Sequence, residues 1–425
     1  MKVLMLAQHY IPVLNSAARL FAELADDILA RGHTVTVLTT YPTRYLATGH
    51  SGTSSERLRR REEIRGVDVV RLKGLPWLPK KVPLFRAVEQ LATAIQYYLA
   101  GLRIPRHDVV IVYSPPLPLG LAGIWLAHRW EGRLIVNIQD LYPQAAVDIG
   151  VLRNPLLLAI ARRLERTVHL QSTDIVVHSG GNRSHVVAHG GSAGHVHVVP
   201  NWIDLERYSP NAERGERFRK KLGLDQAFIV SYGGVIGFFQ GSEAILRAAT
   251  QLASVAPDIQ FVMAGGGTAF AELKSVVRKQ QLDNVLLLSH LPEEEYVDLL
   301  RASDVSLVTL SPTLSTPVVP GKLPCIMGVG CPVVCSTSSR SDARSIVEES
   351  HAGIWTTADN PDALGDGIME LYQNRPLAKE MGQSGRAYVE KYYRRKLCTD
   401  VYLRLIEKTS DCPAPEGNAK KMGDQ

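Results

Sequence analysis

The chain of 425 residues is too long for one domain of ordinary size and long enough for two, each able to bury a core. Its composition, 45% hydrophobic and 21% charged, is that of a soluble globular protein, and no run of roughly 18 apolar residues announces a transmembrane helix. A formal charge of +6 and a pI near 9.0 permit contact with phosphates or an anionic membrane surface without calling for nucleic acid.

Lys2 to Ala7 reads as a buried parallel strand, followed by the loop QHYIPVLNS and a helical face of Ala17, Leu20, Phe21, Leu24 and Ile28. Ser16 is the expected N-cap, Gly32 ends the helix, and Thr34 to Thr39 completes a βαβ unit. The first turn lacks G-x-G-x-x-G, which argues against a nicotinamide or flavin dehydrogenase. The charged stretch Ser51 to Arg65 is expected to be mobile. Strands follow at Val67 to Leu72, Val109 to Val112, Leu134 to Ile138, Asp174 to His178 and His195 to Val199.

Open α/β sheets bind ligands beyond the carboxyl ends of their strands, which singles out His9, Tyr10, Ser114, Gln139, Asp140 and Ser179. Asp140, in NIQDLYP, either faces that crevice or caps the next helix. His9 and His178 are either hydrogen-bonded wall residues or acid–base groups. The segment WLPKKVPLFRAVEQLATAIQYYLAGLRIPR combines Trp77, Leu84, Phe85, Leu91, Ile95, Tyr98 and Leu99 with Lys80, Lys81, Arg86, Arg103 and Arg106. Such a helix either packs on the sheet with solvated basic ends or lies on an anionic bilayer, and different faces can do both.

PNWIDLERYSPNAERGERFRKKLGLD turns polar and charged and marks a domain boundary near Asp204 to Glu213. The alternation then restarts. Phe228 to Tyr232 is a strand leading into GGVIGFFQG, and Ile259 to Ala264 one leading into Gly265-Gly266-Gly267; both are expected to be glycine turns open to a ligand. Strands at Val285 to Leu288, Val305 to Leu310 and CPVVCS, a helix after LPEEEYVDLL, and helices at Asp362 to Tyr372, Pro376 to Lys391 and Arg394 to Glu407 complete the folded part. The tail Thr409 to Gln425 is expected to be disordered. In Ser311 to Ser336, Pro312, Pro317, Pro320 and Gly321 break regular structure, and a helix starting near Lys322 would turn backbone N–H groups and a lysine toward the loop, a place for an anion. An ordinary strand-to-helix connection reads the same way. No G-x-x-x-x-G-K-[ST] P-loop occurs. Cys325, Cys331, Cys335, Cys398 and Cys412 lack paired metal-ligand spacing, and Met1-Lys2 runs directly into a strand without a secretory signal, so a reducing cytoplasm is expected.

In order along nearly the whole chain, QHYIPVLNSAARLFAELADDILARGHTVTVLT, VYSPPLPLGLAG, NIQDLYP, VVPNWID, YGGVIGFFQG, VMAGGG and VPGKLPCIMGVGCPVV resemble the retaining glycosyltransferases of family four. Within it they are most similar to the bacterial surface-polysaccharide branch of L-fucosamine and colanic-acid type transferases. The last segment looks like that branch's P-S-K-L-x-x-x-M-A-x-G-x-P-V, with Gly321 where serine is usual. The resemblance implies the GT-B fold, two Rossmann-like domains facing each other across a central cleft. It implies an acceptor-binding domain over 1–204, a nucleotide-sugar-binding domain over 205–391, a helix at 392–408 crossing back, and the tail 409–425.

Carried over, Lys322 and Leu323 would meet the donor's diphosphate and nucleoside, and Gly233, Gly234, Gly237, Gln240, Gly265 and Gly266 would line the donor. Gln240 stands where the wider family places lysine, and Gly234 or Val235 where it has arginine. The family's pair of glutamates falls on Pro317 and Cys325, so both are absent, although the narrower branch tolerates change at the second. Gln139 stands where many members have histidine, leaving Asp140 to orient the acceptor or the sugar. His9, Ser16 and Arg19 would serve the acceptor. The implied reaction moves a sugar from a nucleotide sugar, UDP-linked, to a lipid-linked saccharide at the inner membrane face, with no metal or other cofactor expected. Two other readings fit the same architecture: a UDP-sugar 2-epimerase, and a catalytically silent nucleotide-sugar-binding protein.

Overall fold

A computed structural model describes residues 1–13, 15–41, 60–73, 83–237, 240–358, 360 and 362–408, with backbone alone for 83–87. Trp77, Lys80, Lys81 and Cys412 lie outside the described residues.

The first half forms an eight-stranded sheet from β1 (Lys2–Leu6), β2 (Thr34–Thr40), β3 (Arg61–Ile64), β4 (Val67–Leu72), β5 (Val109–Ser114), β6 (Arg133–Ile138), β7 (Asp174–Val177) and β8 (Val196–Val198), in the order β3-β4-β2-β1-β5-β6-β7-β8. Only β3 runs antiparallel to its neighbour. The second half forms a six-stranded parallel sheet from β9 (Phe228–Val235), β10 (Ile259–Gly266), β11 (Val285–Leu288), β12 (Val305–Thr309), β13 (Val333–Thr337) and β14 (Gly353–Thr357), in the order β11-β10-β9-β12-β13-β14. The two sheets are the paired α/β layers expected of GT-B.

Both faces of each sheet are covered at its centre, which is why central strands such as β1 and β5 read as apolar runs. Along β1 the side chains alternate: Val3 and Met5 join one core with Leu20, Phe21, Leu24 and Ile28 of helix Ser16–Ala30, while Leu4 and Leu6 join another with Ala94, Leu126 and Val168. The helix Arg395–Glu407 returns to the first sheet. Its Cys398, Tyr402, Leu405 and Ile406 share the core of Val3 and Met5, and Arg395 grips Asp27 at 2.6 and 3.0 Å. Each fully buried large side chain there contributes roughly 2 kcal/mol, so the last helix is held chiefly by burial.

Several expectations need correction. The first helix is capped by Asn15, whose side chain accepts from Ala18 N at 2.8 Å; Ser16 is already the first helical residue. An Asn oxygen serves as well as a Ser hydroxyl at that position. Part of the stretch expected to be mobile, Arg61 to Ile64, is the edge strand β3, and β14 was not anticipated. The expected glycine turns begin too early, because β9 and β10 continue as a paired ladder through Gly234↔Gly265 and Val235↔Gly266. Glycine makes that closeness possible: at Gly265, φ +156°, a Cβ would stand 1.8 Å from the carbonyl oxygen of Gly234. No helix of the described residues is long and apolar enough to cross a membrane.

Candidate active site

The crevice lies beyond the carboxyl ends of the parallel strands. On the first domain, adjacent strands β1, β5 and β6 deliver Gln8 and His9, Tyr113 and Pro115, and Asp140; the first helix adds Asn15, Ser16 and Ala17. Together these line a cavity of about 300 Å³. Asp140 is open to this cavity, yet the protein mass around the concave site desolvates its carboxyl and raises it above the ordinary range. It does not cap the following helix, which starts at Gln144 after Pro143 with no side-chain cap. Burial lowers the His9 imidazole, and pushes His178 down to about 4 against a backbone hydrogen bond to Ile138, so the His178 ring is neutral at physiological pH. Gln139 is committed to its neighbours: it donates to Asn137 Oδ1 at 2.8 Å and accepts from Asn201 at 2.6 Å. Arg19 does not line the cavity. It pairs with Glu23 at 3.1 Å and donates to the Trp202 carbonyl at 3.4 Å.

On the second domain Lys322 opens the helix Lys322–Gly328 and points under β9. Its stem is partly exposed, but Nζ is buried with no hydrogen-bond partner and lies 3.6 Å from the centroid of the Tyr232 ring. That ring is fixed by its hydroxyl, which donates to the Val235 carbonyl at 2.8 Å. A Cβ on Gly234 would be 3.5 Å from Nζ, and one on Gly233 would strike the Tyr296 ring at 2.2 Å, so the ladder end, the two rings and the lysine form one packed unit. Burial pushes the ammonium down to about 7, since an aromatic face offsets only part of the lost hydration. Leu323 is fully buried behind it. Gly237 and Gln240 close the loop after β9: Gln240 N donates to Gly237 O at 3.0 Å, and Thr309 Oγ1 donates to Gln240 O. Gly266 has open space where a side chain would be.

The domains meet beside this unit. Asp148 accepts from Ser315 N at 2.9 Å, Ser315 Oγ at 2.7 Å and Thr316 N at 3.0 Å. Burial alone would raise its carboxyl, but hydrogen bonds from Ser315, Gln144 and Thr316 outweigh it and hold the group below the usual range. Asp342 accepts from Gly181 N at 2.8 Å, and Pro317 packs against Gly181. Cys325, half-buried beside Tyr208, has its thiol pushed up to about 11 by desolvation and is not a thiolate. Sequence reasoning missed Asp148, the last residue of its helix, Tyr232, within β9, and Tyr296, in the helix Glu293–Ala302; nothing in their sequence setting sets them apart.

Residues 15–202 match the family described as "Glycosyl transferase 4-like domain", and residues 213–388 that described as "Glycosyl transferases group 1". The chain is 24% identical over 393 residues, 90% of its own length and 96% of the other's, to WcaI of Escherichia coli, named for a glycosyl transferase of colanic acid biosynthesis. It is 22% identical over 209 residues, 49% of this chain and 53% of the other, to a Campylobacter jejuni protein. That protein is named N-acetylgalactosamine-N,N'-diacetylbacillosaminyl-diphospho-undecaprenol 4-alpha-N-acetylgalactosaminyltransferase. Among solved structures, Anabaena Alr3699/HepE in complex with UDP superposes with a TM-score of 0.72 at 15% identity, covering 96% of this chain and 99% of that one.

Proposed function

The chain belongs to the family-four glycosyltransferases of the GT-B type, and we propose that it transfers a sugar, with retention, from a UDP-linked donor to a lipid-linked saccharide in cell-surface polysaccharide synthesis. The observation that carries the donor half is Lys322: a buried, partnerless amine against Tyr232 and Gly234 is a cation without its anion. A nucleoside diphosphate supplies that anion and restores the charge on Nζ. HepE, a fold relative, binds UDP. WcaI and the Campylobacter enzyme, named for polysaccharide and undecaprenyl-diphosphate chemistry, support the acceptor half.

As the bond from the sugar's anomeric carbon to the phosphate oxygen breaks, negative charge grows on the diphosphate. Lys322 Nζ, held beneath the end of β9, is fixed in advance to meet it. The acceptor hydroxyl approaches from the face the phosphate leaves, and its proton passes to the departing phosphate oxygen. Asp140 orients that hydroxyl or the sugar from the opposite domain, within the cavity that also holds His9 and Ser16. The chain's residues supply this chemistry without a metal in the donor site.

The basic, apolar outer face of the first domain suits a membrane-bound acceptor. In the helix Pro83–Gly101 and just beyond it, Val88, Leu91, Ile95, Leu99 and Leu102 are each 45–51% exposed along one helical stripe, while Ala94 and Tyr97 are buried on the opposite side. In the loop beyond that helix Arg106 is 62% exposed, 3.9 Å from Glu131, and Arg129 lines a shallow apolar groove with Ile95, Tyr98, Leu99 and Trp125. This reading places the protein in the cytoplasm, peripheral at the inner membrane face. The test is incubation with UDP-sugars with and without a polyprenyl-diphosphate saccharide. Sugar transfer that requires the lipid acceptor is expected; conversion of the UDP-sugar alone would indicate the epimerase, and no turnover with intact binding the silent binder.

A further inference from the structure

A cluster of two histidines and a glutamate lies between two helices of the first domain, joined through Arg162, Gln144 and Asp148 to Ser315 of the loop before Lys322. Strand β7 ends at the crevice, so the helix Gly180–Ala188 that follows it starts there and runs back; its last turn carries His185, and His189 follows one turn on. Across from them the helix Pro155–Gln171 presents Glu165. One ligand atom from each of Glu165, His185 and His189 lies within 4.8 Å of the others.

The protonation pattern suits a metal. His189 Nδ1 donates to the His185 carbonyl at 2.8 Å, which leaves its Nε2 with a lone pair; Arg162 Nη1 now points at that nitrogen from 3.2 Å. Arg162 has a second partner, Gln144 Oε1 at 3.0 Å, and keeps it if the first is displaced. His185 Nε2 stands 3.2 Å from Glu165 Oε1, where an ion would replace the shared proton. Glu165 is only 2% exposed, and its second oxygen, Oε2, is buried with no hydrogen-bond partner. A buried carboxylate oxygen left unpaired is costly, and coordination would satisfy it. His169 donates to the His189 carbonyl at 3.1 Å, fixing the turn behind the ligand as outer partners of metal sites do.

We propose that Glu165, His185 and His189 form a zinc-type site that ties the helix Pro155–Gln171 to the helix Gly180–Ala188. Two imidazoles and one carboxylate are a borderline, nitrogen-rich donor set that favours Zn²⁺ over Mg²⁺ or Ca²⁺. The tie is structural, and it fixes the helix whose first turn, at Gly181, meets Asp342 of the donor domain. It does not depend on the transferase reading.

The test uses the full chain stripped with a chelator and titrated with Co²⁺, then Zn²⁺, following visible ligand-field absorption and the thermal unfolding midpoint. One equivalent of Co²⁺ is expected to bind, Zn²⁺ to displace it, and the midpoint to rise with Zn²⁺. Glu165→Gln keeps the side chain's shape and removes the anionic ligand, and should weaken Co²⁺ binding by roughly tenfold or more. His185→Asn combined with His189→Asn should abolish it while native circular dichroism and a cooperative thermal unfolding transition, which report folding, persist. Should the double variant fail to fold, the Glu165→Gln titration decides. Substoichiometric uptake by the native chain in the micromolar range, or unchanged affinity in either folded variant, overturns the proposal.

Discussion

Lys322 is kept at the expense of stability. Its pKa falls from an ordinary 10.5 to about 7, so in the free protein the penalty is absent above about 10.5, grows as the pH falls, and is complete below about 7. Lys322→Met should therefore raise the free protein's stability at neutral pH, on the order of 2 kcal/mol, measurable by urea unfolding. The same change should lower kcat/KM roughly 100-fold or more through lost stabilisation of the leaving diphosphate. Because binding an anion raises the pKa of Nζ, donor binding should take up a proton near neutrality, and affinity should fall as the pH rises above about 7. At Asp140, substitution by Asn should lower kcat roughly tenfold or more with donor affinity unchanged, since the carboxyl faces the cavity and caps nothing. A loss of stability without loss of kcat would return Asp140 to a structural role.

At the scale of single elements, the hairpin of β3 and β4 shows why some of the fold escaped sequence reading. Arg61-Glu62-Glu63 reads as solvated charge, yet two of the three find partners across the ladder: Arg61 meets Asp68 at 2.8 Å, and the fully buried Arg71 meets Glu62 at 2.7 Å. Charge on an edge strand also discourages pairing with other chains. The legible signal was the turn, Arg65-Gly66, with φ +51° and +80°, a two-residue hairpin loop of the primed kind. Glu62→Ala strands the buried guanidinium and should cost about 3 kcal/mol, checked by thermal or denaturant unfolding. The central strands were legible because both sheet faces are buried there and the apolar runs are continuous, as at residues 3–6 and 109–112. The site was legible only in part: Lys322 and the glycines stand in a recognisable order, whereas Tyr232 beneath the lysine is indistinguishable in sequence from any core tyrosine. What brings them together is the register of β9 against β10 and the path of the loop before Lys322.

For the whole molecule, the contact of Asp148 with Ser315 and Thr316 holds the loop before Lys322 to the first domain. A carboxyl whose pKa is held down favours the closed contact above its unperturbed range near 4 and loses it as the pH falls through its lower folded value. Asp148→Ala should therefore widen the interdomain arrangement at neutral pH, seen as a larger radius of gyration in solution scattering, with both domains still folded. The apolar stripe on the outer face predicts that Leu91→Glu with Ile95→Glu reduces flotation with anionic vesicles severalfold while leaving UDP binding intact. These features serve one claim, that a UDP-linked donor is held between the domains by Lys322. Calorimetric titration of UDP into the native chain and into Lys322→Met, at pH 6.5 and 8.5, tests it most directly. Binding by the native chain is expected to be tighter at the lower pH, with at least a tenfold loss in a variant that unfolds no more easily; equal affinity of the two proteins at both pH values would overturn that claim.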